Sequence, residues 1–341
     1  MIRPLSLLVL GAYFAISPCA NAQTPQSSNS PLRETRQGRA ALRQATLLKV
    51  RSSRTIPVPA FSYTSHPQND GNGNLFFWVT AGHAPVGVFE LTQPDEGDSK
   101  MFKLPSDLAK EYDPVNFAVT PSGRVFILGV NEANAFHIFQ LESDGGAKDS
   151  QLDGLMGAAP TSLGVFANDT IFVVGHYIES APEILRGHPY AAILDPSGKL
   201  LVDLTRKLSE KRDFLNPAKY NAFSIRQGED GNLYVLQSDL ILVLSPSGGI
   251  VRRLKFKRPD PQYDAVGLSL SDGQVCVELS IVGMGQPLRP RFLVLNATNG
   301  KEYGYFAPPE DLKASWVSFT RQEGFVFLGG DQGKLKILTL N

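Results

Sequence analysis

The chain has 341 residues, with 33 Lys and Arg against 33 Asp and Glu, 42% apolar residues, 31 Gly and 24 Pro. A formal net charge of zero leaves no basic field to gather a polyanion, which argues against nucleic-acid binding, and the apolar content excludes a chain disordered throughout. Residues 1–22 open with Arg3, run through LSLLVLGAYFAI and end in Ala20-Asn21-Ala22, the pattern of a secretory signal peptide cleaved after Ala22. The apolar run is broken by Pro18 and falls short of the roughly 20 residues that span a bilayer, so no transmembrane segment is expected in the mature chain. Cys19 leaves lipidation open as an alternative. Export implies a secreted or periplasmic protein, and once Cys19 departs with the leader the remaining thiol, Cys276 in the alternating stretch GQVCVEL, reads as a core residue. Residues 23–44, polar and studded with arginine, read as a flexible linker, and residues 45–341 as a single domain.

Within that domain a unit recurs. Short apolar strands entered through a turn appear as NLFFWVT (74–80), RVFILGV (124–130), TIFVVGH (170–176), NLYVLQS (232–238), QVCVELS (274–280) and GFVFLGG (324–330), with starts 50, 46, 62, 42 and 50 residues apart. Spacing of about 40 to 50 residues is that of a propeller blade of four strands. Each run has an apolar stretch before it, such as FAVT (117–120), and a further strand after it, such as LILVLS (240–245). A fourth strand often follows a Gly-containing hairpin, as in PSGKLLVDL (196–204) and PSGGIVRRLKF (246–256). Residues 206–216 have the pattern of one short helix in a loop. The last unit ends at Asn341 one strand short, and ATLLKVRSSRTIPV (45–58) has the composition to supply it. The expectation is an all-β, six-bladed propeller of four-stranded antiparallel blades, its last blade closed by an N-terminal outer strand, behaving as a monomer.

DGNLYVLQSDLILVLSPSGGIVRRLKF (230–256) resembles an NHL-type repeat, and the six units together are similar to the broad TolB-like propeller superfamily. The resemblance implies the fold and leaves the function open. Gluconolactonase-like propellers, of the same architecture, resemble this chain at the channel mouth, where they place a Glu, Asn-type residues and an Asp. Asn116, Asn221 and Asp264 match the last three roles, while blade one offers Phe61 and Tyr63 where the Glu would stand. With Thr161 or Ser162 and Ser315 at corresponding places, these oxygen-bearing residues are candidates for Ca²⁺, a hard cation with oxygen ligands, or for simple strand capping around channel water.

The turns from first to second and third to fourth strand are short and polar, whereas the opposite face carries HYIESAPEILRGHPY (176–190), IVGMGQPLRPR (281–291), DLAKEYDPVN (107–116) and RKLSEKRDFLNPAKY (206–220). Long loops on a rigid scaffold are where recognition groups reside. Candidate binding residues there are His176, Tyr177, Arg186, His188, Tyr190, Arg289 and Arg291. His83 and His176 fall in non-adjacent blades, and neither they nor His188 has ligand spacing, so no metal site is assigned to them; His137, inside a strand, reads as a packing or surface residue. No nucleophile elbow, P-loop or dinucleotide fingerprint occurs. Two functions are therefore expected to compete. One is non-catalytic binding of a protein, peptide or glycan through the long-loop face. The other is a metal-dependent, lactonase-type hydrolase at the channel mouth, with Asp264 as ligand and base.

Overall fold

The structure, a computed structural model, describes residues 45–57, 62–63, 67–81, 84–92, 98–142, 145–155, 157–178, 180–205, 225–283, 286–309, 312, 316–320, 324–331 and 334–341. Six antiparallel sheets form a ring, a β-propeller. Blade 1 comprises Ser62–Tyr63 and Gln68–Asn69, which together stand in first position, then Leu75–Ala81, Ala84–Leu91 and Ser99–Phe102. Blade 2 runs Tyr112–Val119, Val125–Asn131, Phe136–Leu141, Ala147–Gln151. Blade 3 is Ala158–Val165, Ile171–Tyr177, Pro189–Leu194, Leu200–Asp203, and blade 4 is Ile225–Gln227, Leu233–Gln237, Leu240–Leu244, Ile250–Lys255. Blade 5 is Tyr263–Ser271, Gln274–Gly283, Gln286–Asn296, Glu302–Ala307. Blade 6 takes Trp316–Thr320, Gly324–Asp331 and Lys334–Leu340 from the C-terminus and Val50–Pro57 as its outer strand.

That outer strand pairs antiparallel with Lys334–Leu340 from Val50 opposite Leu340 to Pro57 opposite Lys334, and Ser52 Oγ lies 2.7 Å from Thr339 Oγ1. Just before it, Thr46–Leu47 adds a short parallel strand to the outer edge of blade 5 against Phe306 and Ala307. The N-terminal ribbon thus touches two neighbouring blades, a second attachment that the sequence pattern does not announce.

The six apolar runs that carry the repeat are the second strands of their blades. Leu75 to Val79, Val125 to Leu128 and Leu233 to Leu236 are buried without interruption, because each such strand has a neighbouring blade against both its faces and alternation with polar residues would bury unpaired groups. The core is accordingly divided into six apolar clusters, one at each seam between consecutive blades. The seam of blades 6 and 1 packs Val326, Leu328, Leu335 and Ile337 against Leu75, Phe77, Val79 and Phe89, with Ile56 of the N-terminal strand laid beside them. Outer strands alternate instead, as in Ile250–Lys255, since one of their faces meets water.

The short turns share one geometry. In Thr120–Arg124, Asp195–Lys199 and Ser245–Gly249 the first residue's N–H bonds the fifth residue's carbonyl, while the fourth residue's N–H returns to the first residue's carbonyl. The fourth residue is Gly123, Gly198 or Gly248 at positive φ, the left-handed position that closes a three-residue hairpin loop. Polar first residues add side-chain bonds, as when Asp195 Oδ1 accepts from the N–H groups of Ser197 and Lys199 at 2.9 and 3.0 Å. Bulges recur as well. Strand pairing skips one residue on the outer strands of blades 3, 4 and 5, which turns Leu201, Val251 and Tyr303 outward at 53%, 49% and 52% exposure and increases the local twist of those strands.

One expected loop is a strand. Residues 281–291 lie almost entirely within the second and third strands of blade 5, so Arg289 and Arg291 belong to the strand Gln286–Asn296. The fourth strand of that blade pairs only with Phe292 to Leu295. Pro287 and Pro290 therefore sit on a stretch that is an edge, where a missing N–H removes no ladder bond on that side. The helix expected over 206–216 lies outside the described residues.

The turn geometry can be tested at Gly198, which has φ +88°, and where an added Cβ would run into the carbonyl oxygen of Gln151 in blade 2. Gly198→Ala is expected to destabilise the protein by about 3 kcal/mol, read as a lowered denaturation midpoint. An unchanged midpoint would contradict the close approach of blades 2 and 3 at this turn.

Candidate functional site

The loop between the second and third strands of blade 3 is a built structure. Tyr177, last residue of one strand, and Tyr190, near the start of the next, are both buried and meet edge to face at 5.3 Å between ring centroids. Above them the chain is closed by the N–H of Tyr177 on the carbonyl of His188 (3.0 Å) and the N–H of Gly187 on that of Tyr177 (2.8 Å). The N–H of Ile178 reaches the carbonyl of Gly157 at 2.9 Å, tying the loop to the connection from blade 2. Gly157 has φ +81°, and a Cβ there would stand 2.7 Å from the nitrogen of Ala181, which is itself buried. The loop is thus seated on a position that only glycine allows.

At its tip a 3-10 turn, Glu183–Leu185, presents Ile184 at 82% exposure. Arg186 and His188 are exposed beside it, and Nε of Arg186 donates to the carbonyl of Ala181 at 3.2 Å. Of the candidates in this loop, then, Arg186 and His188 face solvent, whereas Tyr177 and Tyr190 are its foundation. Tyr190 Oη is buried without a hydrogen-bond partner, and burial, with Tyr177 and Asp203 nearby, raises its pKa beyond the usual phenol range. His176 is half-buried, and burial lowers its pKa. Ile184, the most exposed large apolar side chain among the described residues, was not singled out from sequence. Its signal is an Ile-Leu pair set between Glu183 and Arg186 in the loop.

Of the channel-mouth candidates Asn116, Asn221 and Asp264, the first and last lie among the described residues, and they stand apart. Asn116 is buried, and its amide donates to the carbonyl of Thr161 in blade 3 at 3.0 Å, so these two are brought together. Both stand at matching bulges, Pro114/Asn116 in blade 2 and Pro160/Ser162 in blade 3, and the bulge in blade 5 falls at Ala265/Gly267. Gly267 is therefore the blade-5 counterpart of Asn116 and Ser162. Asp264 lies further toward the long-loop rim, exposed and ion-paired with Arg258 at 3.2 Å. Asn221, Ser315, His83 and Phe61 lie outside the described residues. Arg291 is half-buried, donating to the carbonyl of Pro290 at 3.0 Å. Among the described residues no group of three or more His, Cys, Asp or Glu side chains is placed to hold a metal ion.

Sequence reasoning also missed a polar chain in blade 2. Tyr112 Oη lies 3.3 Å from His137 Nε2, and His137 Nδ1 lies 2.8 Å from Asp149 Oδ1, with Tyr112 and His137 both buried. Phe139 stacks on the imidazole, with ring centroids 5.9 Å apart. His137 is thus a packed core histidine with both ring nitrogens engaged. Three strands contribute to this set, and spacing along the chain gives no hint of it.

A scan against protein-family models finds no match, and a search of the curated proteins finds none. Among solved structures the chain is similar to a protein of unknown function from Dyadobacter fermentans, at 12% identity over 86% of this chain and 99% of that one, with a TM-score of 0.50. It is also similar to a gluconolactonase from Xanthomonas campestris, at 15% identity over 91% and 94% and a TM-score of 0.45, and to a luciferin-regenerating enzyme, at 10% over 84% and 95% and 0.46. Likeness at this level of identity is likeness of fold.

Because His176 binds its proton less readily when folded than when unfolded, its contribution to stability is complete above about pH 6.5 and declines as pH falls toward the folded value. Between about pH 7.5 and about pH 5.5, His176→Gln is expected to lose less melting temperature than the native protein. Equal losses would show that this imidazole is not desolvated.

Proposed function

We propose that the protein is a non-catalytic recognition propeller that binds a protein or peptide partner through the blade-3 loop. The observation that carries this reading is Ile184. An 82% exposed isoleucine is unfavourable on a loop that is otherwise fixed by backbone bonds and a glycine seat, unless something covers it. Pre-ordering the loop removes the entropy that a flexible one would lose on binding, and an apolar anchor flanked by Glu183, Arg186 and His188 is the composition of a contact centre with a polar rim. The leader-like residues 1–22 support export, so that the partner would be met outside the cytoplasm. The repeat over residues 230–256 supports an affiliation with NHL-type propellers, a group defined by fold more than by chemistry.

The hydrolase reading draws no comparable support. Asn116 and Asp264 stand at different heights on their strands, and Asp264 is engaged with Arg258.

A photo-crosslinking residue placed at position 184 is expected to give an adduct with the partner in an envelope or secreted fraction. The same residue at Ser197, exposed on the opposite face, should give none. Ile184→Asp should weaken binding at least tenfold, equivalent to about 1.4 kcal/mol, while leaving the melting temperature nearly unchanged. Adducts from position 197 alone, or undiminished binding by the Ile184 variant, would overturn the proposal.

A further inference from the structure

Each first strand carries an equivalent residue two positions before its following turn. In chain order these are Gln68, Ala118, Gly164, Arg226, Ser269 and Ser318. The position faces the next blade: a Cβ on Gly164 would meet Ile225 and Leu233 of blade 4. In blade 1 the place is filled by an amide whose two ends are both used, Gln68 Nε2 donating to the carbonyl of Phe117 at 2.9 Å and Oε1 accepting from the N–H of Val119 at 3.0 Å. These first strands stand nearest the axis, where Asn69 of blade 1 donates across to the carbonyl of Leu270 in blade 5.

Arg226 occupies the same place in blade 4 without the same satisfaction. It is 5% exposed, and Nη1 donates to the carbonyl of its own neighbour Ile225 at 2.7 Å, but Nε and Nη2 are buried with no hydrogen-bond partner among the described residues. Its strand partner Tyr234 bonds Asp230 and Arg252 instead. Burial pushes the guanidinium pKa down to about 9, so the group remains charged at neutral pH. An unpaired buried charge is among the most unfavourable features a core can hold. The two orphan donors are not scattered: Nε–H and Nη2–H form one edge of the planar group, the edge that takes a carboxylate or phosphate through two parallel bonds.

We propose that the inner strand of blade 4 carries an oxyanion site, in which the Nε and Nη2 edge of Arg226 binds a carboxylate or phosphate group on the side of that strand that faces blade 5. The site does not depend on the blade-3 loop, and either can fail alone. The test is thermal unfolding of the full chain in chloride at constant ionic strength, with sodium acetate or inorganic phosphate substituted up to about 50 mM. The native protein is expected to gain melting temperature in a saturating manner with at least one of the two anions, and which one acts separates the carboxylate from the phosphate source. Arg226→Met is expected to melt higher than the native protein in chloride, because the unpaired charge is gone, and to show no response to either anion. If Arg226→Met does not fold, Arg226→Lys serves in its place: it keeps the charge without the fork and should bind at least tenfold more weakly. A native protein indifferent to both anions, or a variant that responds as the native protein does, overturns the proposal, the second outcome meaning an adventitious ion only.

Discussion

The ring depends on its seam. No blade of this protein buries its own apolar faces, since each of the six clusters is made by two neighbouring sheets, so a gap anywhere would expose two half-cores and two open edges at once. The gap is filled by pairing Val50–Pro57 with Lys334–Leu340, a contact between residues 287 apart in the case of Ser52 and Thr339. It is reinforced by Thr46–Leu47 on blade 5 and by Leu48, which is buried among Phe292, Phe325 and Leu340 at the seam of blades 5 and 6. Pairing at such sequence separation carries a large loop-closure entropy, and only the burial completed at the same moment offsets it.

Once the ring is closed, its two faces are free to differ. The short-turn face is governed by a repeated hairpin with a left-handed glycine, which fixes strand register and leaves little surface to vary. On the other face the connections are not bound by that geometry. The blade-3 loop uses this freedom to raise Ile184 on a base of two tyrosines packed edge to face and a glycine seat. The inner wall is a third region, where strands converge and polar side chains such as Gln68 and Asn116 bond the backbone of the next blade. Arg226 departs from that pattern, and a buried guanidinium edge left unpaired points toward a ligand.

Much of the architecture was legible because it rests on local patterns. Uninterrupted apolar runs such as Leu233 to Leu236 mark strands covered on both faces, and Asp-Pro-Ser-Gly at 195–198 marks a hairpin. What escaped depends on pairing across strands. Tyr177 and Tyr190 border a loop in sequence but end up as core, because the strands extend to them before the chain turns. Arg289 and Arg291 read as loop residues in a stretch that contains Pro287 and Pro290, whereas an unpaired strand edge tolerates proline. Bulges moved the counterpart of Asn116 from Asp264 to Gly267, a shift that residue counting cannot supply. The chain of Tyr112, His137 and Asp149 and the orphan edge of Arg226 belong to the same class, being properties of neighbours that are distant in sequence.

The most direct measurement of ring closure is a disulfide across the seam. With Ser52→Cys and Thr339→Cys in one chain, mild oxidation should form an intrachain bond, seen as a faster-migrating monomer on non-reducing gels, and raise the melting temperature by constraining a very long loop. Both engineered thiols remaining free after oxidation, beside the native Cys276, or covalent dimers in place of the intrachain species, would show that the chain's ends do not meet in the sixth blade.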